Sequence, residues 1–481
     1  MFRLTTLPIS LVLVSLAAAG CGETFVSSGG TGGMGGSGAS GGSTISAGGS
    51  GGDTSTGATG GSGGNGGHMS TGGSGGTTSD CSPGLSLCGD ACVDTDTDRQ
   101  NCGSCGTECG SLCSAGKCDD PVYIAAGGAT TCAVTQLGSV YCWGKNNLGQ
   151  FGTNVPAESG KPVKVGVPAE KKFVAVALGK NPEMAHVCAF SDSFELYCWG
   201  PNDNGKLGIG MVNNGPFAPT KVNLADVTAI ALGARHTVAI TDGYLGVWGA
   251  NEKGQLGPGN VGPLGLNSPL GIPAYFADAI GAGFLHACAA HDGTLQCWGG
   301  NSQGQVGNGA SSMLDGAPPT TVDVGGQVIT RVKGGQEHTC ALDDGGGVWC
   351  WGNGFSGQLG NGLQAMKTLP VSVAMPEGAT AESIDCGGNH SGAVADGELY
   401  LWGHNIEGQT KPGGGDAPVL TPTLVEGVSD VKMIALGFAH SCALTHGGQI
   451  YCWGNNSEGQ TGNGSADGVD VPVTLVSFQG N

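Results

Sequence analysis

Six histidines recur at nearly even intervals, at His186, His236, His286, His338, His390 and His440, with Thr130 at the corresponding place of a first unit. Imidazole ligates transition metals and titrates near neutrality, so such a ring suggests a metal site or a proton relay. Ligation needs at least three donors converging within about 2.1 Å of one point. Side chains that return once per repeat about a wide axis do not converge, and the plainer reading is that each histidine pins its own unit by hydrogen bonds. His291, His404 and His446 fall in turns and read as exposed.

Cysteines keep the same rhythm. Cys132 pairs in sequence with Cys142, Cys188 with Cys198, Cys288 with Cys297, Cys340 with Cys350 and Cys442 with Cys452, each pair across one short turn. In the third unit the two places hold Val238 and Val247, and in the sixth Gly392 and Leu401. Both cysteines are present or both are gone, as expected for residues facing each other on adjacent strands. Five in-unit disulfides follow. The tryptophan beside the second cysteine, as in "YCWG" at Tyr141–Gly144, points to the opposite face of its sheet, where it can pack against the next unit. Cys386 has no repeat partner and reads as an inert buried thiol.

Other motifs carry less. "GGSGG" at Gly60–Gly64 matches a serine-hydrolase elbow but sits in a low-complexity stretch. Glycine-rich turns such as "GANEKGQLG" lack the Lys-Ser/Thr of a phosphate loop. Asp94, Asp96 and Asp98 mimic a calcium loop, yet Arg99 stands where its turn glycine belongs and Cys105 where its closing glutamate belongs. Asp343 and Asp344 head a turn, and no pair of carboxylates forms an acid/base couple. No catalytic residue, metal site or cofactor is read from these patterns.

The elements that hold these residues come from internal repetition. Trp-Gly begins at Trp143, Trp199, Trp248, Trp298, Trp351, Trp402 and Trp453, at gaps of 56, 49, 50, 53, 51 and 51 residues. Each unit has an alternating apolar segment ending in glycine, a short strand, a tight turn often holding Asp-Gly, a strand ending in Trp-Gly, and a "PTKV"-like stretch. Period-two alternation and Asp-Gly turns predict three or four short antiparallel strands per unit. One such sheet cannot bury its own faces, whereas seven stacked radially cover one another and close a ring. "GFAHSCALTHGGQIYCWGNNSEGQTGNG", Gly437–Gly464, resembles the repeat of the regulator of chromosome condensation family, whose fold is a seven-bladed β-propeller. Family members include a nucleotide-exchange factor for a nuclear GTPase and a secreted β-lactamase inhibitor, so the resemblance implies action through protein contacts. The fold class is therefore all-β: a seven-bladed propeller at 121–481, preceded by smaller segments.

Those segments set the compartment. "MFRLTTLPISLVLVSLAAAGC" at 1–21 resembles a bacterial lipoprotein signal with Cys21 as the lipidated residue, although Ala18 stands where that family usually has leucine. An ordinary secretory signal is the alternative. Gly22 after the cysteine implies the outer membrane, and the secreted or periplasmic state is the other option. Residues 22–79, almost wholly Gly, Ser, Thr and Ala, read as a disordered tether with a reach of roughly 45 Å. Residues 80–120 form a cysteine-rich module of Cys81, Cys88, Cys92, Cys102, Cys105, Cys109, Cys113 and Cys118. Export makes four disulfides the expectation there; zinc held by the Cys102/Cys105 and Cys109/Cys113 spacings is the rival.

A net charge of −20, with 28 acidic and 15 basic residues from Pro121 onward and no Lys/Arg cluster, disfavours nucleic acid and anionic membrane as partners. The membrane is met through the lipid alone. Recognition is assigned to loops that break the repeat, the insertion with Lys180, Asn181 and Glu183 and the long connection with Asn260, Leu264 and Asn267. The expected function is a non-catalytic surface protein that binds a protein partner. A propeller-based hydrolase or lyase, and a carbohydrate- or cell-wall-binding module, are the alternatives.

Overall fold

A computed structural model describes residues 81–152, 156–259, 262–466, 468 and 471–478. Cys21 and the 22–79 segment lie outside the described residues. From Pro121 onward the chain makes seven antiparallel sheets, each of four consecutive strands. Blade 1 comprises Pro121–Gly127, Thr130–Thr135, Val140–Lys145 and Glu158–Lys164. Blade 7 comprises Val431–Leu436, His440–Thr445, Ile450–Gly454 and Val471–Leu475. The first strand of every blade packs on the first strands of both neighbours, blade 7 on blade 1 included, so seven inner strands surround an axial channel.

Burial is graded outward from that axis. Second strands such as His440–Thr445 are buried at all six positions because neighbouring sheets cover both faces. Outer strands such as Val471–Leu475 are half-exposed at best. Hairpins between second and third strands follow local turn chemistry: Asp242-Gly243, Asp292-Gly293 and Asp396-Gly397 all have positive φ at both residues, the geometry of type I′ turns. Since strand direction alternates, connections from first to second and from third to fourth strands emerge on one face, here the loop face. The hairpins emerge on the other, the hairpin face.

Register places the cysteines opposite each other. Cys132 faces Cys142, Cys188 faces Cys198, Cys288 faces Cys297, Cys340 faces Cys350 and Cys442 faces Cys452. All five pairs are bridged, with Cα separations of 4.0 Å for Cys288–Cys297 and 4.1 Å for the rest. Val238 faces Val247 and Gly392 faces Leu401 at the two unbridged places.

The tryptophans correct one expectation. Each covers the preceding blade, not the next: Trp199 shares a buried cluster with Cys132 and Cys142, Trp402 with Cys340 and Cys350, and Trp143 with Cys442 and Cys452 across the closure. The handedness of sheet stacking, which sequence alternation does not encode, decides which neighbour lies on that side. A close approach follows at Gly307 (φ +79°), where a Cβ would lie 2.7 Å from Trp351 Nε1.

In the module, disulfides join Cys81–Cys92, Cys88–Cys105, Cys102–Cys113 and Cys109–Cys118. This pairing crosses both Cys-x-x-Cys-like spacings and leaves no thiolate there for zinc. The module docks on the hairpin face over the seam between blades 7 and 1. Asp120 takes the backbone N–H groups of Gly110, Ser111 and Leu112, Ser111 Oγ donates to Gly448 O at 2.7 Å, and Leu137 N–H donates to Asp119 Oδ1 at 2.7 Å. Leu112 packs on the cluster holding Trp143 and Phe478.

Replacing Cys188 and Cys198 together by valine, the pair blade 3 already carries, is expected to lower unfolding free energy by about 2–3 kcal/mol with the fold intact. Denaturant titration of the oxidised proteins measures this; a loss of cooperative folding would contradict the assigned packing.

Candidate functional site

The repeated histidines open the second strand of their blades, or in blade 2 directly precede it, and are fully buried. Five donate from Nε2 to a hydroxyl on the following blade: His186 to Thr237 (2.8 Å), His286 to Thr339 (2.8 Å), His338 to Ser391 (2.8 Å), His390 to Ser441 (3.1 Å) and His440 to Thr131 (2.8 Å) across the closure. The tautomer follows from the next link, because each hydroxyl spends its proton on a backbone carbonyl. Ser391 Oγ donates to Gln358 O at 3.0 Å, and Thr131 Oγ1 to Gln460 O at 3.0 Å. The hydroxyl must then accept from N–H. At the other blade interfaces the equivalent carbonyl receives tryptophan Nε1, as Gln358 O does from Trp402 at 3.0 Å, whereas at the closure Trp143 Nε1 has no partner and Gln460 O receives only Thr131. Burial holds these imidazoles neutral, with His286, His338 and His440 lowered to about 3 and His236 to about 4.

Two interfaces depart from the pattern. Between blades 1 and 2 both partners are replaced, by Thr130 and Val187, and Thr130 Oγ1 turns back to Lys145 O at 2.9 Å. Between blades 3 and 4 only the acceptor is lost. His236 remains, Ala287 stands where the hydroxyl belongs, and neither ring nitrogen of His236 has a partner.

His338, Cys340 and Cys386 do cluster, with donor atoms all within 4.8 Å. They do not fit a metal. Ser391 Oγ lies among them, 2.8 Å from His338 Nε2, 3.7 Å from Cys340 Sγ and 4.0 Å from Cys386 Sγ, and Cys340 is committed to its disulfide. Burial pushes the Cys386 thiol up to about 12. The module's Cys102, Cys109 and Cys118 are likewise all in disulfides. Asp94 and Asp98 accept local backbone N–H groups as turn residues do, and Asp343 caps its hairpin by accepting from Gly345 and Gly347.

The loops assigned to recognition divide. Lys180 Nζ donates to Cys386 O at 2.6 Å, reaching from blade 2 to blade 6 over the channel. Asn181 Oδ1 accepts the N–H groups of Glu183 and Met184, and Glu183 pairs with Lys145 at 2.7 Å. The polar groups of this insertion are thus engaged within the ring, although the Glu183 side chain stays exposed. Lys145 also pairs with Glu458 at 3.0 Å, tying blade 1 to both neighbours. The blade 3 connection stays outward: Leu264 is 96% exposed and Asn267 Nδ2 donates to Gly210 O on blade 2. Asn260 lies outside the described residues.

Sequence reading missed two further loop-face residues. Phe355 and Ile406 occupy equivalent places in the third-to-fourth connections of adjacent blades, 58% and 55% exposed, where Glu252, Ser302 and Ser457 stand in others. On the hairpin face, Phe276 is 49% exposed and lies against Tyr244 at 4.8 Å and His291 at 5.5 Å.

Against known proteins, the model of the RCC1-like domain matches residues 88–433, and models of the RCC1 repeat match 431–460 and 447–481. The E3 ubiquitin-protein ligase HERC2 of Mus musculus is 30% identical over 358 residues, covering 71% of this chain and 7% of that protein. The ultraviolet-B receptor UVR8 of Arabidopsis thaliana is 29% identical over 355 residues, covering 72% of this chain and 67% of the receptor. Among solved structures, human WBSCR16 aligns with a TM-score of 0.61 at 20% identity, covering 70% of this chain and 94% of that one. Yeast RCC1 (Prp20), solved with Kap60 bound to it, aligns with a TM-score of 0.61 at 24% identity, covering 70% of this chain and 83% of that one. These two structures share the fold.

Two outcomes are expected from the histidine network. Ala287→Ser restores the missing acceptor for His236 and should stabilise by about 0.5–1.5 kcal/mol in denaturant unfolding; a loss of stability would refute the assigned geometry. The histidines' folded pKa values lie below the unfolded value of 6.5, so their contribution is complete above pH 6.5 and is lost as pH falls toward 3–4. Each should cost about 1.4 kcal/mol per pH unit in that window. Urea midpoints at a series of pH values between 7 and 4.5 test it, and flat midpoints would contradict buried neutral imidazoles.

Proposed function

The chain belongs to the RCC1-like domain family, and from that premise we propose that it is an exported, lipid-anchored binding protein whose propeller captures a protein partner on its loop face without catalysis. The observation that carries this reading is the polarity of the molecule. The cysteine-rich module, through which the preceding chain joins the propeller, sits on the hairpin face, held by Ser111 on Gly448 and Asp119 on Leu137. The loop face carries no such docked module among the described residues.

Nine disulfides support an oxidising compartment, in line with the signal read at 1–21. The six repeated histidines and Cys386, which could have done chemistry, are buried in the frame, and five of the histidines are hydrogen-bonded across it. On the loop face Leu264, Phe355 and Ile406 supply exposed apolar side chains of the kind that anchor protein interfaces. A relative in the same fold, yeast RCC1, has been solved with a protein bound.

The test is capture from envelope fractions by the immobilised, lipidated chain. Changing Leu264, Phe355 and Ile406 to aspartate should reduce recovery of the specific partner at least about tenfold without moving the unfolding midpoint. Cys21→Ala should release the chain from membranes into the soluble fraction. Undiminished capture by the triple variant would reject the loop face, and membrane retention of the Cys21 variant would reject the anchor.

A further inference from the structure

The lumen of the ring breaks the pseudo-symmetry in a chemically specific way. Inner-strand positions are comparable through their pairing with the second strand. Opposite the first bridge position, five blades carry alanine or glycine, as at Ala177 and Gly281, whereas blade 5 carries Lys333 and blade 6 Asp385. Two residues earlier, blades 2 to 4 carry alanine, blade 5 carries Arg331 and blade 6 Ser383. Small residues on most blades leave room on the axis, and blade 5 fills that room with two cations. A third, Lys180, enters from the inserted loop of blade 2 and lines the same cavity, whose volume is about 180 Å³.

These cations lack neutralising partners. Among the described residues neither Arg331 nor Lys333 makes an ion pair, and both are exposed to the lumen. The one carboxylate at their level, Asp385, is turned toward blade 7, where its Oδ2 accepts the N–H of Leu436 at 2.8 Å. Lys180 gives one of its three donors to Cys386 O and keeps two. The lumen thus holds an excess of two positive charges inside a chain whose net charge is −20. Low-dielectric walls concentrate that potential instead of letting solvent screen it.

We propose that the axial channel is a binding site for one compact oxyanion, a phosphate group, held by the guanidinium of Arg331 and the ammonium groups of Lys333 and Lys180. The planar fork of arginine matches two oxygens of such an anion, and the two ammonium groups serve as point charges for the others. Two strands of blade 5 and blade 6 and one loop of blade 2 meet at the site, so the bound anion would link blades across the ring. Around the loop-face rim of the ring, backbone bonds run between neighbouring blades, Ala234 N–H to Phe284 O, Phe284 N–H to Gly335 O, Gln336 N–H to Gly388 O and Phe438 N–H to Gly128 O. With Lys180 spanning the same end, the anion enters from the hairpin face.

Isothermal calorimetry of the purified chain with inorganic phosphate, at low ionic strength in chloride, tests the proposal. Wild type should bind one phosphate saturably and unfold at a higher temperature with it. Arg331→Gln/Lys333→Gln should weaken binding at least about tenfold and remove the thermal shift. The phosphate-free variant should be no less stable than wild type, because like charges have been removed. Asp385→Asn, which deletes the opposing carboxylate, should tighten binding. Phenyl phosphate distinguishes the source: binding of inorganic phosphate alone assigns a free anion, and comparable binding of both assigns the end group of a larger ligand. Absence of saturable binding to wild type, or equal binding by the double variant, overturns the site. If the double variant fails to fold, Lys180→Gln and Asp385→Asn, shifting affinity in opposite directions, decide the matter.

Discussion

One backbone carbonyl per blade holds the ring together. In the turn after the third strand of every blade but the second, a glutamine closes back on its own loop, as Gln358 Oε1 accepts Ser356 N–H and Gln460 Oε1 accepts Glu458 N–H. An asparagine braces the same turn from the other side, Asn405 Oδ1 accepting Thr410 N–H and Asn456 Oδ1 accepting Thr461 N–H. Between blades 5 and 6 the carbonyl so aimed receives both the indole N–H of Trp402 and the hydroxyl of Ser391, and the hydroxyl in turn receives His338 from the blade that owns the carbonyl; at the closure Gln460 O receives the hydroxyl of Thr131 without the indole of Trp143. Every group in this circuit is buried, so leaving one unmade exposes no water to replace it.

Where the circuit fails, other contacts stand in. The interface between blades 1 and 2 lacks both the histidine and the hydroxyl, and there Lys145 with Glu183 forms an ion pair on the loop face. The closure between blades 7 and 1 keeps His440 and Thr131 but shares no strand between the first and last sheets, and it gathers extra fastenings: Lys145 with Glu458 on one face, the cysteine-rich module on the other, and Phe478 against both Tyr141 and Trp143 between them. The module is therefore part of the propeller's closure as well as its link to the preceding chain. In blade 2 Lys206 replaces the glutamine; its own carbonyl still receives Trp248 and Thr237, while its buried ammonium turns to Met184 O and Asp203.

A frame locked in this way separates stability from recognition. Side chains whose chemistry first drew attention, imidazoles and sulfurs, are consumed by the frame, and burial keeps the imidazoles uncharged and the Cys386 thiol protonated. What remains adjustable is the loop face and the lumen, where substitution costs the frame little. Leu264, Phe355 and Ile406 differ from their counterparts on the first of these, and Arg331, Lys333 and Asp385 on the second.

The sequence by itself determined the number of blades, the strand content, the five in-blade bridges and the structural role of the histidines, because each is a local pattern repeated at a fixed period. Joint loss at Val238/Val247 and Gly392/Leu401 made the cross-strand pairing legible without coordinates. Tertiary structure alone decided which neighbour each tryptophan covers, since stacking hand is a property of packed sheets and leaves no mark on alternation. It alone showed that Lys180 reaches across to blade 6 and Glu183 pairs with Lys145, that the module clasps the seam, and that Lys180, Arg331 and Lys333, 153 residues from the first to the last of the three, share one lumen. Those facts depend on closing the ring, which brings distant positions of the chain to one axis.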